Sequence, residues 1–413
     1  MHSHELFRLA LGVEEPWRVT EVAFSEAEGR LDIRLDFPPG SRFCCPECGE
    51  GRCAVHDSRE RTWRHLNFFQ HETQLHARQP RVRCSKHGVK TVEVPWARPH
   101  IGFTLLMEAF ILALVENGMT PKQVGRVIGE HDTRIWRVLQ HYVDKARAEA
   151  DYSSVTAIGL DETSRAKGHN YITVFMEVDA ARALFVTEGR DAGTVRRFRQ
   201  DLEAHGGKAE QVEEACLDMS PAYICGLEQE FLRTQMTFDP FHLMKLMNAA
   251  VDEVRRQEQK GRPELKKTRY VWLKNEWNHT RREAEAFNRL RASKLKTARA
   301  WLLKSVFQDF FAEDEPEEAE GMLKRWYYWA THSRLEPMVE AARTIKRHWK
   351  GVLRWFTSRI TNGLLEAVNG LIQAAKAKAR GYRSSKYLAT TVYLIAGKLD
   401  FGLPRFPAAA HTK

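Results

Sequence analysis

No stretch of this chain approaches the roughly 18 consecutive apolar residues that a membrane span needs. The opening MHSHELFRLALGVEEPW carries acids where a signal peptide is purely apolar. These two absences argue against insertion into a membrane and against export, and they lead to the expectation of a soluble, intracellular protein. Acid is in shorter supply than base: 54 Asp and Glu against 64 Lys and Arg leave a net charge of +10, a balance that favours a polyanionic partner without proving one. Cysteine is scarce beyond residue 90, since five of the seven (Cys44, Cys45, Cys48, Cys53 and Cys84) precede it. In a reducing compartment such a cluster points to metal and away from disulfides. At 413 residues, 43% of them hydrophobic, the chain exceeds one ordinary domain and has material for two to four cores.

The cysteines follow a predicted hairpin. Residues 18–37 alternate, with Leu31, Ile33, Leu35 and Phe37 on one face after the Glu28-Gly29-Arg30 turn. Cys45-Pro-Glu-Cys48-Gly is a knuckle in which two sulfurs flank a tight turn and Gly49 lets the backbone fold back. Cys84-Ser-Lys-His87-Gly repeats the two-residue spacer. Cys45, Cys48, Cys84 and His87 together offer a tetrahedral Cys3His site for a structural Zn2+, with no open coordination position. Cys53 and His56 compete as ligands, and the plainer reading is a set of free thiols in a small β-domain. Strand-like residues 61–66 and 81–83 bridge the two knuckles as a ribbon, giving an N-terminal β-rich zinc-binding domain over 1–95.

Pro95 and Pro99 mark a boundary, after which residues 102–117 read as a helix. Thr120-Pro121 then supplies a cap and a first-turn proline, Gly129 ends that helix, and residues 132–150 form the next. Two helices joined by so short a turn make a helix-turn-helix over 100–150, with Thr133, Arg134, Arg137 and His141 available to a DNA groove.

From residue 155 strands and helices alternate. The run 155–162, VTAIGLDE, reads as a buried strand that stops on carboxylates, with alternation sending Asp161 and Glu162 to opposite faces. Strands at 170–179 and 182–188, a helix at 191–205, a strand at 212–217 ending at Asp218, a helix at 221–231, a strand at 235–238 and a helix at 242–256 complete the order βββαβαβα. That is the order of an RNase H-like fold. Residues 261–348 are helical and charged and read as an insertion, their tryptophans more often core than base-stacking platforms. Downstream, Asn362, Glu366, Asn369 and Gln373 form a polar stripe on an otherwise apolar helix. The expected fold is therefore multi-domain α+β: an RNase H-like core (155–260 and 349–403) interrupted by the helical insertion and followed by a tail at 404–413. Two strand-end aspartates and a helix glutamate suit a two-metal phosphoryl-transfer site, because hard divalent ions take oxygen ligands about 4 Å apart. Plainer readings exist for each alone: a turn cap for Asp161, with Glu162 its rival as ligand, a helix cap for Asp218, an early-helix acid for Glu366.

The segments CPECG with CSKHG, GLDETSRAKGHNYITVFMEVD, CLDMSPAY, FDPFHLMKLMNAAVDEVRR and NGLLEAVNGLIQAAKAKARGYRS resemble bacterial insertion-sequence transposases of the ISL-three type, which are DDE transposases. The likeness spans most of 45–390. It implies that Asp161, Asp218 and Glu366 bind the catalytic metals, Mg2+ or Mn2+. Two departures stand out: the second zinc half is CxxH where the family usually has CxxC, and Pro240 stands where arginine is common. The resemblance further implies double-stranded DNA as partner, both the terminal inverted repeats of an element and its target, a homodimer or larger assembly on paired ends, and a cytoplasmic, nucleoid-associated location. Lys376, Lys378, Arg380, Arg383 and Lys386 are expected to follow the phosphate backbone. Asp239 and His242 follow the fifth strand and are expected to reach the site or serve the core; Arg190 contacts phosphate or pairs with a carboxylate. Two further functions stay open on sequence alone: a catalytically inactive zinc and helix-turn-helix regulator, and a nuclease that cuts without joining.

Overall fold

The computed structural model describes residues 3–51, 53–166, 168 and 170–403, so the tail expected at 404–413 lies outside the described residues. The chain folds as two compact units, Met1–Val143 and Asp144–Leu399.

In the first unit helix α1 (Ser3–Ala10) is followed by strands β1 (Arg18–Ser25), β2 (Arg30–Asp36), β3 (Arg42–Phe43), β4 (Cys53–Phe68), β5 (His71–Cys84) and β6 (Gly88–Thr91). They form one sheet in the order β1-β2-β5-β4-β3, with β6 beside β5. β1 and β2 pair antiparallel as expected, and β2 runs parallel to β5. The β4–β5 ribbon is far longer than the short strands its apolar alternation suggests. Trp63, Leu75, Ala77 and Val82 are buried in it, while polar pairs tie its less buried positions to their neighbours: Asp57 with Arg81, Asp36 with Arg78 and, by a hydrogen bond, Asp32 with His76. Cross-strand pairs of opposite charge stabilise a sheet without leaving a hydrophobic signature.

The helices α2 (Leu105–Glu116), α3 (Pro121–Ile128) and α4 (Asp132–Ala148) follow, the last of them ending just past the residue where this unit stops. Thr120 and Gln123 form a reciprocal capping box at the start of α3, and Gly129 closes it with φ 72°. The turn into α4 is tight because Gly125 has no side chain. A Cβ there would fall under 3.0 Å from the Glu130 carbonyl oxygen. Glu108 is fully buried yet satisfied, with Arg98 Nε donating to it at 2.9 Å and Tyr142 Oη at 2.6 Å.

The second unit opens with β7 (Ala157–Ala166), β8 (Asn170–Glu177) and β9 (Arg182–Glu188), then α5 (Ala192–Ala204), β10 (Glu214–Leu217), α6 (Pro221–Glu230), β11 (Gln235–Phe238) and α7 (Pro240–Glu258). The sheet order is β11-β10-β7-β8-β9; β10 runs parallel to β7 and β11, whereas β8 is antiparallel to β7 and β9. Five helices follow: α8 (Arg269–Leu273), α9 (Arg281–Arg291), α10 (Lys296–Asp309), α11 (Pro316–Thr331) and α12 (Glu336–Arg347). α10 and α12 pack on α7, and a single apolar cluster continues from Ile158, Leu160 and Leu217 in the sheet through Met247 to Trp272, Trp301 and Trp326. Those three tryptophans are core, whereas Trp277 is 76% exposed.

α13 (Trp349–Ser358), α14 (Gly363–Ala379) and α15 (Ser385–Ala396) close the unit. α14 and α15 cover the opposite sheet face, where Leu365, Val368, Ile372, Leu388 and Val392 meet Ile172, Val174 and Met176. α14 lies against β7 at Gly159, where a Cβ would fall under 3.0 Å from Leu365 Cδ1. That close approach places the residue after Leu365 beside the end of the parallel strands. No helix among the described residues is long and apolar enough to cross a membrane.

Candidate functional site

The parallel pairing of β7 with β10 ends at Gly159 and Cys216. Beyond that point the two strands separate, and an open cleft of about 350 Å³ is lined by Asp161, Glu162, Asp218, Phe241, His242, Lys245, Glu366 and Asn369. The three predicted carboxylates thus come together from β7, from the residue after β10 and from the first turn of α14. Glu162 joins them, contrary to the simple alternation that sends it to the face opposite Asp161. β7 has lost its β10 neighbour at this point, so both faces of the strand border the cleft.

Each side chain is held locally. Asp161 Oδ1 accepts from its neighbour's backbone N–H, that of Glu162, at 2.9 Å, and Oδ2 accepts from Asn369 Nδ2 at 2.8 Å. Asp218 Oδ1 accepts from Ser220 N at 2.9 Å and closes the turn before α6; it is not the helix cap of its plainer reading, since Ser220 is the N-cap residue of that helix. Glu366 N donates to Asn362 O at 2.8 Å in the first turn of α14. Asp239, buried at the start of α7, accepts from Phe241 N at 2.6 Å and from Asn362 N, and so pins the start of α14 to the end of β11. His242 lines the cleft and its Nε2 lies 3.5 Å from Asn362 Nδ2. Lys245, one turn further along α7, carries no motif of its own in the sequence; its spacing of three from His242 is the signal that puts it on the same helix face.

The electrostatics are those of acids short of cations. Burial, then the charges of Glu162 and Asp218 against the pull of His242, pushes the Asp161 carboxyl up to about 6. Burial and Asp218 raise Glu162 while Arg190 lowers it, and burial with Asp239 raises Glu366. Glu366 Oε1, Asn369 Oδ1 and Asn362 Oδ1 are buried without a hydrogen-bond partner. All three are acceptors on one helix face, and hard divalent cations with their waters are the groups such oxygens fit.

The second cluster lies in the first unit. The ligand atoms of Cys45, Cys48, Cys84 and His87 all lie within 4.8 Å of one another. Cys48 Sγ is 3.8 Å from Cys84 Sγ, and His87 Nδ1 is 3.6 and 3.9 Å from the sulfurs of Cys84 and Cys45. A tetrahedron with Zn–S near 2.3 Å and Zn–N near 2.05 Å requires S–S of about 3.8 Å and S–N of about 3.6 Å. The donors fit structural zinc, with Nδ1 as the imidazole ligand. Burial opposes the Cys45 thiolate, but hydrogen bonds from the N–H groups of Cys48 and Glu47 and from the side chains of Cys84 and Cys48 together bring the thiol down to about 7. Cys53 donates instead to Glu50 O at 3.5 Å, and His56 Nδ1 lies 3.4 Å from Arg83, so neither joins the cluster.

Among the expected DNA contacts, Arg137 is exposed on α4. Arg134 is half-buried and already engaged, donating to Glu130 at 2.6 Å with its guanidinium 4.1 Å from the Phe103 ring. Lys378, Arg380 and Arg383 are exposed around the end of α14. Lys376 Nζ donates to Ser164 O at 2.6 Å and Lys386 Nζ lies 3.4 Å from Asp144. Arg190 sits over the Tyr171 ring at 4.5 Å.

Three family models match this chain. Residues 158–392 match an ISL3-type DDE model described as transposase, residues 41–87 a zinc-finger of transposase IS204/IS1001/IS1096/IS1165, and residues 92–143 a helix-turn-helix domain of transposase family ISL3. Among curated proteins, the transposase for insertion sequence element IS1557 of Mycobacterium tuberculosis is 27% identical over 438 residues, covering 96% of each chain. The transposase for insertion sequence element IS1001 of Bordetella parapertussis is 25% identical over 395 residues, covering 92% of this chain and 95% of its own.

Proposed function

Because the chain belongs to the ISL3 family of DDE transposases, we propose that it cuts and rejoins DNA at the ends of its own mobile element by metal-dependent phosphoryl transfer. The observation that carries the reading is the convergence of Asp161, Asp218 and Glu366 on one cleft beside acceptor oxygens that no protein donor satisfies. The sheet order, three antiparallel strands followed by two parallel ones, supports an RNase H-like core.

Asp161 and Asp218 would hold one divalent cation, Mg2+ or Mn2+, and Asp161 with Glu366 a second. Bound there, the cations supply charge neutralisation and a lowered pKa for an attacking water or 3′ hydroxyl. The protein's own part is positioning. The cleft orients the scissile phosphate for in-line attack, and α7 brings the His242 imidazole and the Lys245 ammonium to the phosphate oxygens. The same 3′ hydroxyl freed by cleavage then attacks target DNA, so no covalent protein intermediate is needed.

The zinc module and helix-turn-helix would read the terminal inverted repeats through base contacts. Lys378, Arg380 and Arg383, with Lys376 and Lys386, would supply salt-dependent contacts to the backbone of element or target DNA. Pairing two element ends calls for a homodimer or larger assembly, working at the nucleoid. The test is excision and integration of a marked segment carrying the gene's native flanks. Wild type should yield joined products and Asp218→Asn none. Cut ends that never join would replace the transposase reading with a nuclease, and flank binding with no cutting would favour a regulator.

A further inference from the structure

α14 is laid along β7 by a row of polar contacts. Asn369 Nδ2 donates to Asp161 Oδ2 at 2.8 Å, Gln373 Nε2 to Thr163 Oγ1 at 2.6 Å, and Lys376 Nζ to Ser164 O at 2.6 Å. Positions 369, 373 and 376 share one helix face, and 161 and 163 one face of the strand. Gln373 and Lys376 seat the helix. Asn369 alone among these three reaches a carboxylate that lines the cleft.

The orientation of that amide is dictated by its partner. An ionised carboxylate only accepts, so Asn369 must present its nitrogen, which turns Oδ1 away; Oδ1 is buried and has no hydrogen-bond partner. Asp161 itself has about four lone-pair positions. The Glu162 backbone N–H occupies one on Oδ1 and Asn369 one on Oδ2, leaving one on each oxygen. Without Asn369 the carboxylate would keep a single bond, from its own neighbour's backbone, and its plane would be free to turn.

We propose that Asn369 is a positioning residue of the metal centre. Its Nδ2 fixes the Asp161 carboxylate with one lone pair of each oxygen left for a divalent cation, and its Oδ1 accepts from a water carried by that cation. The inference rests on the reading of the cleft as a divalent-cation site. Partners that orient a ligand in this way typically change metal affinity by about 10- to 100-fold when removed.

The test is titration of the full-length, zinc-loaded protein with Mn2+ alone, following loss of the free-ion electron paramagnetic resonance signal. Wild type, Asp161→Asn, Asn369→Leu and Gln373→Leu are compared, with melting temperature and binding of element-end DNA measured on each. Asn369→Leu, which keeps the branching and the number of side-chain heavy atoms, should raise the half-saturating Mn2+ concentration about tenfold or more with DNA binding unchanged. Gln373→Leu, which severs the next contact on the same face, should stay within about twofold. Should the leucine variant fail to fold, Asn369→Ala carries the same expectation, since alanine favours the helix. Wild-type affinity in the Asn369 variant overturns the proposal. So does equal weakening in Gln373→Leu, because the effect would then come from seating the helix and not from orienting Asp161. Equal uptake by wild type and Asp161→Asn would instead remove the metal reading of the cleft, and this inference with it.

Discussion

Gly159→Ala tests whether the seat of α14 on β7 governs the site. The new methyl would lie under 3.0 Å from Leu365 Cδ1, at least about half an ångström inside the 3.5–4.0 Å of a normal carbon contact. Leu365 is 1% exposed and packed among Ile172, Val174 and Leu388, so it has little room to yield. Overpacking of this kind costs about 1–3 kcal/mol. The displacement is passed to Glu366, the next residue, where a shift near 1 Å costs on the order of 100-fold in rate. Leu365→Ala alone should cost about 2–5 kcal/mol through the cavity it leaves. In the double variant the added methyl enters that space, so the two losses should fall short of additive by about 1 kcal/mol or more. Urea unfolding of the four proteins, with element-end cleavage measured on each, decides it. Strict additivity, or a Gly159→Ala protein with full activity, would refute the claim that this contact places Glu366.

Three further outcomes follow from the first unit and its surfaces. Chelation, or Cys84→Ser, should remove about one zinc per chain and destabilise the unit that holds the ribbon; metal analysis with thermal melting checks this, and zinc-free protein that melts as before would contradict it. His65, whose Nδ1 lies 2.8 Å from Thr104 Oγ1 at the cap of α2, is pushed down to about 4 by burial and the neighbouring Arg64. Its folded value lies below the ordinary 6.5, so the unfolded chain binds the proton first. Stability is present above pH 6.5 and lost as pH falls toward 4, by roughly 3 kcal/mol at most, and His65→Gln should flatten the profile in that window. Arg137→Ala should weaken DNA binding and reduce its salt dependence by about one ion, whereas Arg134→Ala, which removes the Glu130 pair and the Phe103 contact, should lower the melting temperature of the fold.

Much of the second unit is written locally. Asp161 and Asp218 each end a short apolar run, and Glu366 stands on a polar stripe whose opposite side, Leu365, Val368 and Ile372, is buried. Strands β9 and β11 fall at the residues their patterns predict, because each is bounded by turn residues and carries an apolar alternation or run. What local pattern leaves out depends on closure in space. Glu162 reaches the cleft only because β10 stops pairing at Cys216. The bond from Asn362 N to Asp239 joins residues 123 positions apart, and nothing in either segment announces the other. The length of β4 and β5 escapes for another reason: their less buried positions are tied to neighbouring strands by ionic and hydrogen-bonded pairs, which hydrophobic periodicity does not register.

The most direct test of the central claim is cleavage of element-end DNA by the purified protein as Mg2+ is raised, comparing wild type with Glu366→Gln at matched DNA occupancy. Glu366→Gln keeps the shape of the side chain and removes its charge, so metal-dependent cutting by wild type and a loss of at least about 100-fold in the variant are expected, with DNA binding intact. Equal cutting by the two proteins, or cutting by wild type without a divalent cation, would contradict it.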